Sequence, residues 1–149
     1  MAAITNSIEI NRSPQDVFAY LDELERHGEW QEEIVSVRVE NGNPTKVGTR
    51  AIEVRKVPGR DQTVTYEITE HDPPHTFAFR GIDGPLRPVG RGTIEELDGG
   101  ERSRLMIEFD FESHGFAGKA MRPLALMQAK KAIPKGQQRL KERLESGAA

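Results

Sequence analysis

The sequence contains no cysteine, one tryptophan, two tyrosines and six phenylalanines in 149 residues. Without cysteine there is no disulfide, no thiol nucleophile and no thiolate metal site, which suits a reducing compartment. Long apolar runs are also missing: none approaches the ~20 residues needed to cross a bilayer as a helix. The opening MAAITNSIEI has no basic segment followed by an apolar core, so the reading predicts a cytoplasmic protein with no transmembrane segment. Metal-ligand clusters are lacking too. His71 and His75 are separated by Asp-Pro-Pro, a turn rather than a helix face, and His27 and His114 are placed at element ends, so no metal is expected. Gly90-Arg91-Gly92 precedes no helix and is not a phosphate loop. No Gly-x-Ser-x-Gly elbow or other nucleophile–base pair stands out. No cofactor is predicted.

What is present is the composition of a globular protein, 36% hydrophobic and 30% charged, with a net charge of −3. That balance gives no general attraction to nucleic acid. The charge is nevertheless segregated. Residues 1–40 carry nine acids against three arginines, whereas residues 116–145 carry eight bases against two acids. The basic stretch has no interleaved aromatics beyond Phe116, so a nucleic-acid partner is not expected. An acidic partner, or the chain's own acidic region, remains compatible with it.

Along the chain, Ile4, Ile8 and Ile10 alternate as one strand face. Ser13-Pro14-Gln15-Asp16 is a helix start, with Ser at the N-cap and Pro at the first helical position. Val17, Phe18, Leu21 and Leu24 continue it, and a Gly28 break leads to a short second helix or turn carrying Trp30. The period then changes to two. Val35, Val37 and Val39 precede an Asn41-Gly42-Asn43-Pro44 turn, and Ile52 and Val54 precede a Pro58-Gly59-Arg60-Asp61 turn. Val64, Tyr66 and Ile68 lead to the turn from His71 to His75. Phe77 and Phe79, a strand around 90–97, an Asp98-Gly99-Gly100 hairpin and Leu105, Ile107, Phe109 and Phe111 complete the set. Short connections imply antiparallel neighbours, with one apolar and one charged face. Residues 116–145 are the one long helical stretch. Leu126, Ala129, Ile133, Leu140 and Leu144 form its apolar stripe, Pro123 is expected in its first turn, and Pro134 should bend it at a cost of ~3 kcal/mol. No repeat or linker divides the chain, so residues 1–149 read as one domain.

This order of elements resembles the START-related helix-grip superfamily, which includes birch-pollen-allergen-like proteins. Within it, the chain is most similar to the polyketide cyclase/dehydrase and lipid-transport family. The resemblance rests on Ser13-Pro-Gln-Asp-Val-Phe-Ala-Tyr-Leu-Asp22, Glu29-Trp30 and Val47-Gly48-Thr49-Arg50. It continues through Tyr66-Glu-Ile-Thr-Glu-His-Asp-Pro-Pro74 and Arg139-Leu-Lys-Glu-Arg-Leu-Glu145, covering nearly the whole chain. It implies an α+β fold in which a seven-stranded curved antiparallel sheet wraps around the C-terminal helix, with two short helices between strands 1 and 2. It further implies a cavity open to ligands, though not one activity.

A site in such an architecture is concave and mostly apolar, with few polar groups to orient the ligand. The expected lining from the sheet side is Trp30, Val35, Val37, Ile52, Val54, Val64, Tyr66, Ile68, Phe77, Phe79, Ile107 and Phe109. From the helix come Met121, Ala125, Leu126, Ala129 and Ile133. The small Ala125, Ala129, Ala132 and Gly136 favour a void opposite the sheet; close backbone approach explains them equally well. Arg50, sharing parity with Ile52 and Val54, is expected to point inward, and Arg50 and Tyr66 are the candidate polar or catalytic groups. Arg91, Glu95 and His114 have undecided facing, a surface ladder being the favoured reading for the first two. Three functions fit: binding of a small hydrophobic molecule such as a lipid or polyketide, a polyketide cyclase/dehydrase-like reaction, or protein interaction through the basic helix. A monomer or weak homodimer is expected.

Overall fold

The computed structural model describes residues 2–40, 42 and 44–149; the expected turn at 41–44 rests on Asn41 and Asn43, which lie outside these. The elements run β1 (Ile4–Ile10), α1 (Pro14–Leu21), a 3₁₀ segment (Leu24–Glu29), β2 (Ile34–Val39), β3 (Arg50–Val57) and β4 (Arg60–Asp72). They continue with β5 (Thr76–Gly81), β6 (Leu86–Leu97), β7 (Arg102–Ser113) and α2 (Gly115–Ser146). The seven strands form one sheet in the order β1-β7-β6-β5-β4-β3-β2, with every neighbour antiparallel.

Local chemistry accounts for most boundaries. The Ser13 side chain accepts a hydrogen bond from the Asp16 amide at 3.2 Å, and Pro14 opens α1 where a missing N–H costs nothing. Val57 pairs with Arg60, so β3 and β4 are joined by the two-residue Pro58-Gly59 turn, with Gly59 at a φ of +83°. At the other end, α2 stops at Gly147 in the left-handed conformation, whose N–H returns to the carbonyls of Arg143 and Leu144. His71 and Asp72 belong to β4 rather than to a turn, and the chain reverses at Pro73-Pro74.

The helix α2 begins eight residues before Pro123, so that proline lies in its interior and not in its first turn. Each interior proline removes one helix N–H, yet the helix continues through both. Tertiary contacts hold its beginning. Gly118 lies so close to the 81–86 loop that a Cβ would sit 2.0 Å from the Pro85 carbonyl oxygen. Arg122 donates to the Phe111 carbonyl at 3.0 Å and to Asp110 at 2.7 Å.

The main core gathers at the C-terminal end of α2. Leu140 and Leu144 are fully buried against Ile10, Val17, Phe18, Leu21, Ile94 and Leu105, each such side chain contributing about 1.5–3 kcal/mol of burial. Buried Gln137 shares this face, bonded to the Asn6 side chain and donating to the carbonyls of Asn6 and Leu105. Arg143 donates to the Tyr20 hydroxyl, which itself donates to Glu29, each at 2.9 Å. The apolar stripe expected along the whole helix is therefore buried only at this end: Leu126, Ala129 and Ile133 stay half-exposed.

Candidate ligand-binding site

Strand register decides which residues face the helix. Directly paired residues of an antiparallel sheet project to the same face. Ala51, Glu53 and Arg55 of β3 pair with Tyr66, Val64 and Gln62 of β4, and Ala51, Tyr66 and Ile68 are buried together with Leu24 against Val37, Val39 and Phe79. That is the inner face. Arg50, Ile52 and Val54 pair with Glu67, Thr65 and Thr63 and point the other way, and Arg50 is exposed. Their expected inward position is thus corrected: a two-residue turn joins an odd position of β3 to an even position of β4, so Ile52 cannot share a face with Val64 and Tyr66. Val35 is corrected as well. A bulge between Ile34 and Ser36 absorbs it, and it is exposed.

Elsewhere the register sets the aromatic and aliphatic residues of β4–β7 on the inner face, where Trp30, Phe77 and Ile107 pack against the main core. Ile68 pairs with Phe79, Phe79 with Gly90 and Gly90 with Phe109, while Phe77 pairs with Gly92 and Gly92 with Ile107. The two glycines make room for the rings. A Cβ at position 90 would meet Phe79 at 2.4 Å, and one at 92 would meet Phe77 at 2.2 Å. Laid over bare backbone, the Phe79 ring bridges β4 to β7. Tyr66, Phe79, Phe109 and Phe111 form a row with successive centroid distances of 5.4, 6.3 and 5.0 Å.

The helix does not cover this whole wall. α2 packs chiefly on β1, β7 and β6, the strands at one side of the sheet. The cluster on β3 and β4 contains no α2 residue. Met121, Ala125, Leu126, Ala129 and Ile133 lie on the helix face that carries Gly118, Gly136 and Leu140, yet all five remain partly accessible, as do Val64, Phe79, Ile107 and Phe109. Two clefts open beside the helix. One of about 400 Å³ is lined by Arg60, Gln62, Thr63, Val64, residues 83–86 and Met121, bringing two expected lining residues to one mouth. The other, about 250 Å³, is lined by Trp30, Glu32, Glu33, Lys135, Gly136, Gln138 and Arg139.

A polar group that the sequence reading missed lies on the β2–β4 part of the inner face. Glu53, 7% exposed, accepts from Arg55 at 2.7 Å, and Arg55 also donates to Gln31 at 3.1 Å and Glu33 at 3.4 Å. Tyr66, 6% exposed, makes no hydrogen bond to the described residues. Burial, then the nearby Glu53 charge, raises its pKa well above the ordinary phenol value, so its hydroxyl remains a proton-bearing donor. The Trp30 indole N–H is buried without a partner among the described residues, its ring 5.2 Å from His27. His27 is half-buried and bonded to the Leu21 carbonyl at 2.7 Å; desolvation lowers its pKa below the usual imidazole value and favours the neutral ring.

The remaining candidates lie away from these clefts. Arg91 and Glu95 are on the outer face, bonded to Glu70 and Arg104 respectively, and His114 is an exposed residue at the start of α2. His71 is held between Asp22, at 2.8 Å, and the Phe18 ring. Among the described residues no cluster of three or more His, Cys, Asp or Glu is placed to hold a metal, and no helix is long and apolar enough to cross a membrane.

A curved seven-stranded antiparallel sheet holding a long C-terminal helix, with a partly open apolar inner wall, defines the helix-grip class of START-like proteins. Within that class the chain belongs to the polyketide cyclase/dehydrase and lipid transport family, whose sequence model matches residues 1–145. An uncharacterized protein of Mycobacterium tuberculosis is 32% identical over 109 residues, covering 72% of this chain and 76% of that one. An aromatase/cyclase from Streptomyces superposes with a TM-score of 0.83 at 13% identity, covering 98% of this chain and 94% of that one. A START superfamily protein from Mycobacterium smegmatis gives 0.71 at 16% identity, covering 96% and 97%. At these identities the two structures establish the fold alone.

Proposed function

We propose that the protein binds a small, mostly apolar molecule between the β2–β5 wall and α2, as a single cytoplasmic carrier domain. One observation carries this reading: apart from the Glu53–Arg55 pair the inner wall is apolar and aromatic, and the helix, resting on the same face chiefly over β1, β6 and β7, leaves it partly accessible. Apolar area removed from water there is worth about 25 cal/mol per Å². The Tyr66 hydroxyl, near the Glu53–Arg55 pair, and the Trp30 N–H, buried without a partner among the described residues, favour a ligand with hydrogen-bond-accepting oxygen. The test is titration with a hydrophobic fluorescent probe. Wild-type protein should take up the probe saturably, and Phe79→Glu or Ile107→Glu should reduce uptake at least tenfold. Absence of uptake by the wild type would end the reading.

The same polar group supports a second reading, a cyclase-type reaction. Tyr66 would donate a hydrogen bond to a substrate carbonyl, and Arg55 would stabilise the negative charge that develops on that oxygen. Arg50 has no part in it, because it faces away from the hollow. A polyketide-like substrate should turn over, with Tyr66→Phe slowed more than tenfold in kcat at unchanged probe affinity. Equal rates in Tyr66→Phe, Arg55→Ala and wild type would remove these two roles.

A further inference from the structure

The outer side of α2 has a pattern that the proposed cavity does not need. Positions 116, 123, 127 and 134 are spaced by seven, four and seven, so they share one line along a helix. They are Phe116, Pro123, Met127 and Pro134, with Leu124 beside them, and all five are exposed. Phe116 is 93% exposed, Leu124 58% and Met127 56%. Large apolar side chains this exposed, in one row, are not explained by packing in the isolated chain.

Charge flanks that row with a single sign. No acidic residue falls between Glu112 and Glu142. Lys119, Lys130, Lys131 and Lys135 make no ion pair among the described residues. Arg122 and Arg139 are tied to Asp110 and Glu32, and Lys141 and Arg143 to Glu145 and Glu29. The paired bases thus secure the helix, while the four free lysines border the apolar row. On a chain of net charge −3, this is a local reversal of sign.

We propose that this ridge of α2 docks on an anionic lipid surface, the apolar tips entering the acyl boundary and the lysines meeting the headgroups. An interfacial helix combines these two features. A second copy of the chain fits less well, since a two-fold contact through the ridge would bring the lysines flanking it on one copy toward those on the other. A lipid surface supplies the opposite charge and accommodates a convex row without a matching groove. The cleft containing Met121 opens at the same half of the helix. The docking proposal itself stands without any ligand in the hollow.

Co-sedimentation with vesicles tests it. The full-length protein should pellet with vesicles of equal parts phosphatidylglycerol and phosphatidylcholine at about 0.1 M salt and be released at about 1 M; pure phosphatidylcholine should retain little. Lys119→Glu/Lys130→Glu/Lys131→Glu should weaken binding on the order of a hundredfold. Phe116→Ser/Leu124→Ser/Met127→Ser should weaken it roughly tenfold or more, with unchanged thermal unfolding because the three side chains are exposed. Three reversals on the outer sheet face, at Arg38, Arg50 and Lys56, separate a located surface from overall charge and should cost far less. The proposal is overturned if anionic vesicles capture nothing, if both sets of reversals act equally, or if neither ridge variant matters. It is also overturned if sedimentation reveals a dimer that the Phe116/Leu124/Met127 variant abolishes, which would assign the ridge to a second copy.

Discussion

The two halves of α2 rest on the same sheet but are held in different ways. From Gly136 onward the helix presents Gln137, Leu140 and Leu144 to a closed core, with ring-to-carboxylate-to-guanidinium bonding through Tyr20, Glu29 and Arg143. Before Gly136 the only buried residue of α2 is Gly118, which has no side chain, and two prolines each delete a helix N–H. The C-terminal half is an anchor and the N-terminal half a cover. Burial is therefore concentrated at one end of the helix, and accessible surface at the other.

Substitution of equivalent leucines should separate the halves most strongly. Leu140→Ala leaves a cavity in a filled core and should cost about 2–5 kcal/mol. Leu126→Ala, on the half-exposed cover, should cost within about 1 kcal/mol. Urea unfolding of both variants makes the comparison, and similar losses would mean that the cover is packed like the anchor.

A smaller effect concerns the half-buried His27 on the β2–β4 side. Its pKa is lowered by burial, so below about pH 6.5 the unfolded chain takes up a proton that the folded protein resists. Stability should be full above that pH and fall as the solution is acidified toward the folded-state value. His27→Asn should flatten this slope below about pH 6.5, measured by urea midpoints. An unchanged slope would place the titrating group elsewhere.

Much of this architecture is legible from residue spacing. Ser13-Pro14 marks the helix start, and the alternation in 64–68 and 105–111 identifies inner faces that the register confirms. The β3 face is different. Ile52 and Val54 look like the buried set because they are the apolar ones, but Ala51, Glu53 and Arg55 occupy that face. The signal was present in the Pro58-Gly59 turn, which fixes register and thereby opposes the hydrophobic phase of β3 to that of β4. Periodicity alone ranks a glutamate as outward, so the polar group of the site was hidden. Val35 failed for another reason, since a bulge shifts phase without a mark in composition. Pro123 was placed too near the helix start because propensity cannot register the Gly118–Pro85 approach and the Arg122 bonds.

Filling the hollow from the helix side tests the central claim most directly. Ala129 faces the sheet from the loosely packed half of α2 and is partly accessible. If free volume lies opposite it, Ala129→Trp should abolish uptake of a hydrophobic probe while leaving the urea midpoint near that of the wild type. If the space is already occupied by side chains, the added ring should instead destabilise the fold by about 1–3 kcal/mol or more. That result, or undiminished probe uptake, would contradict the account.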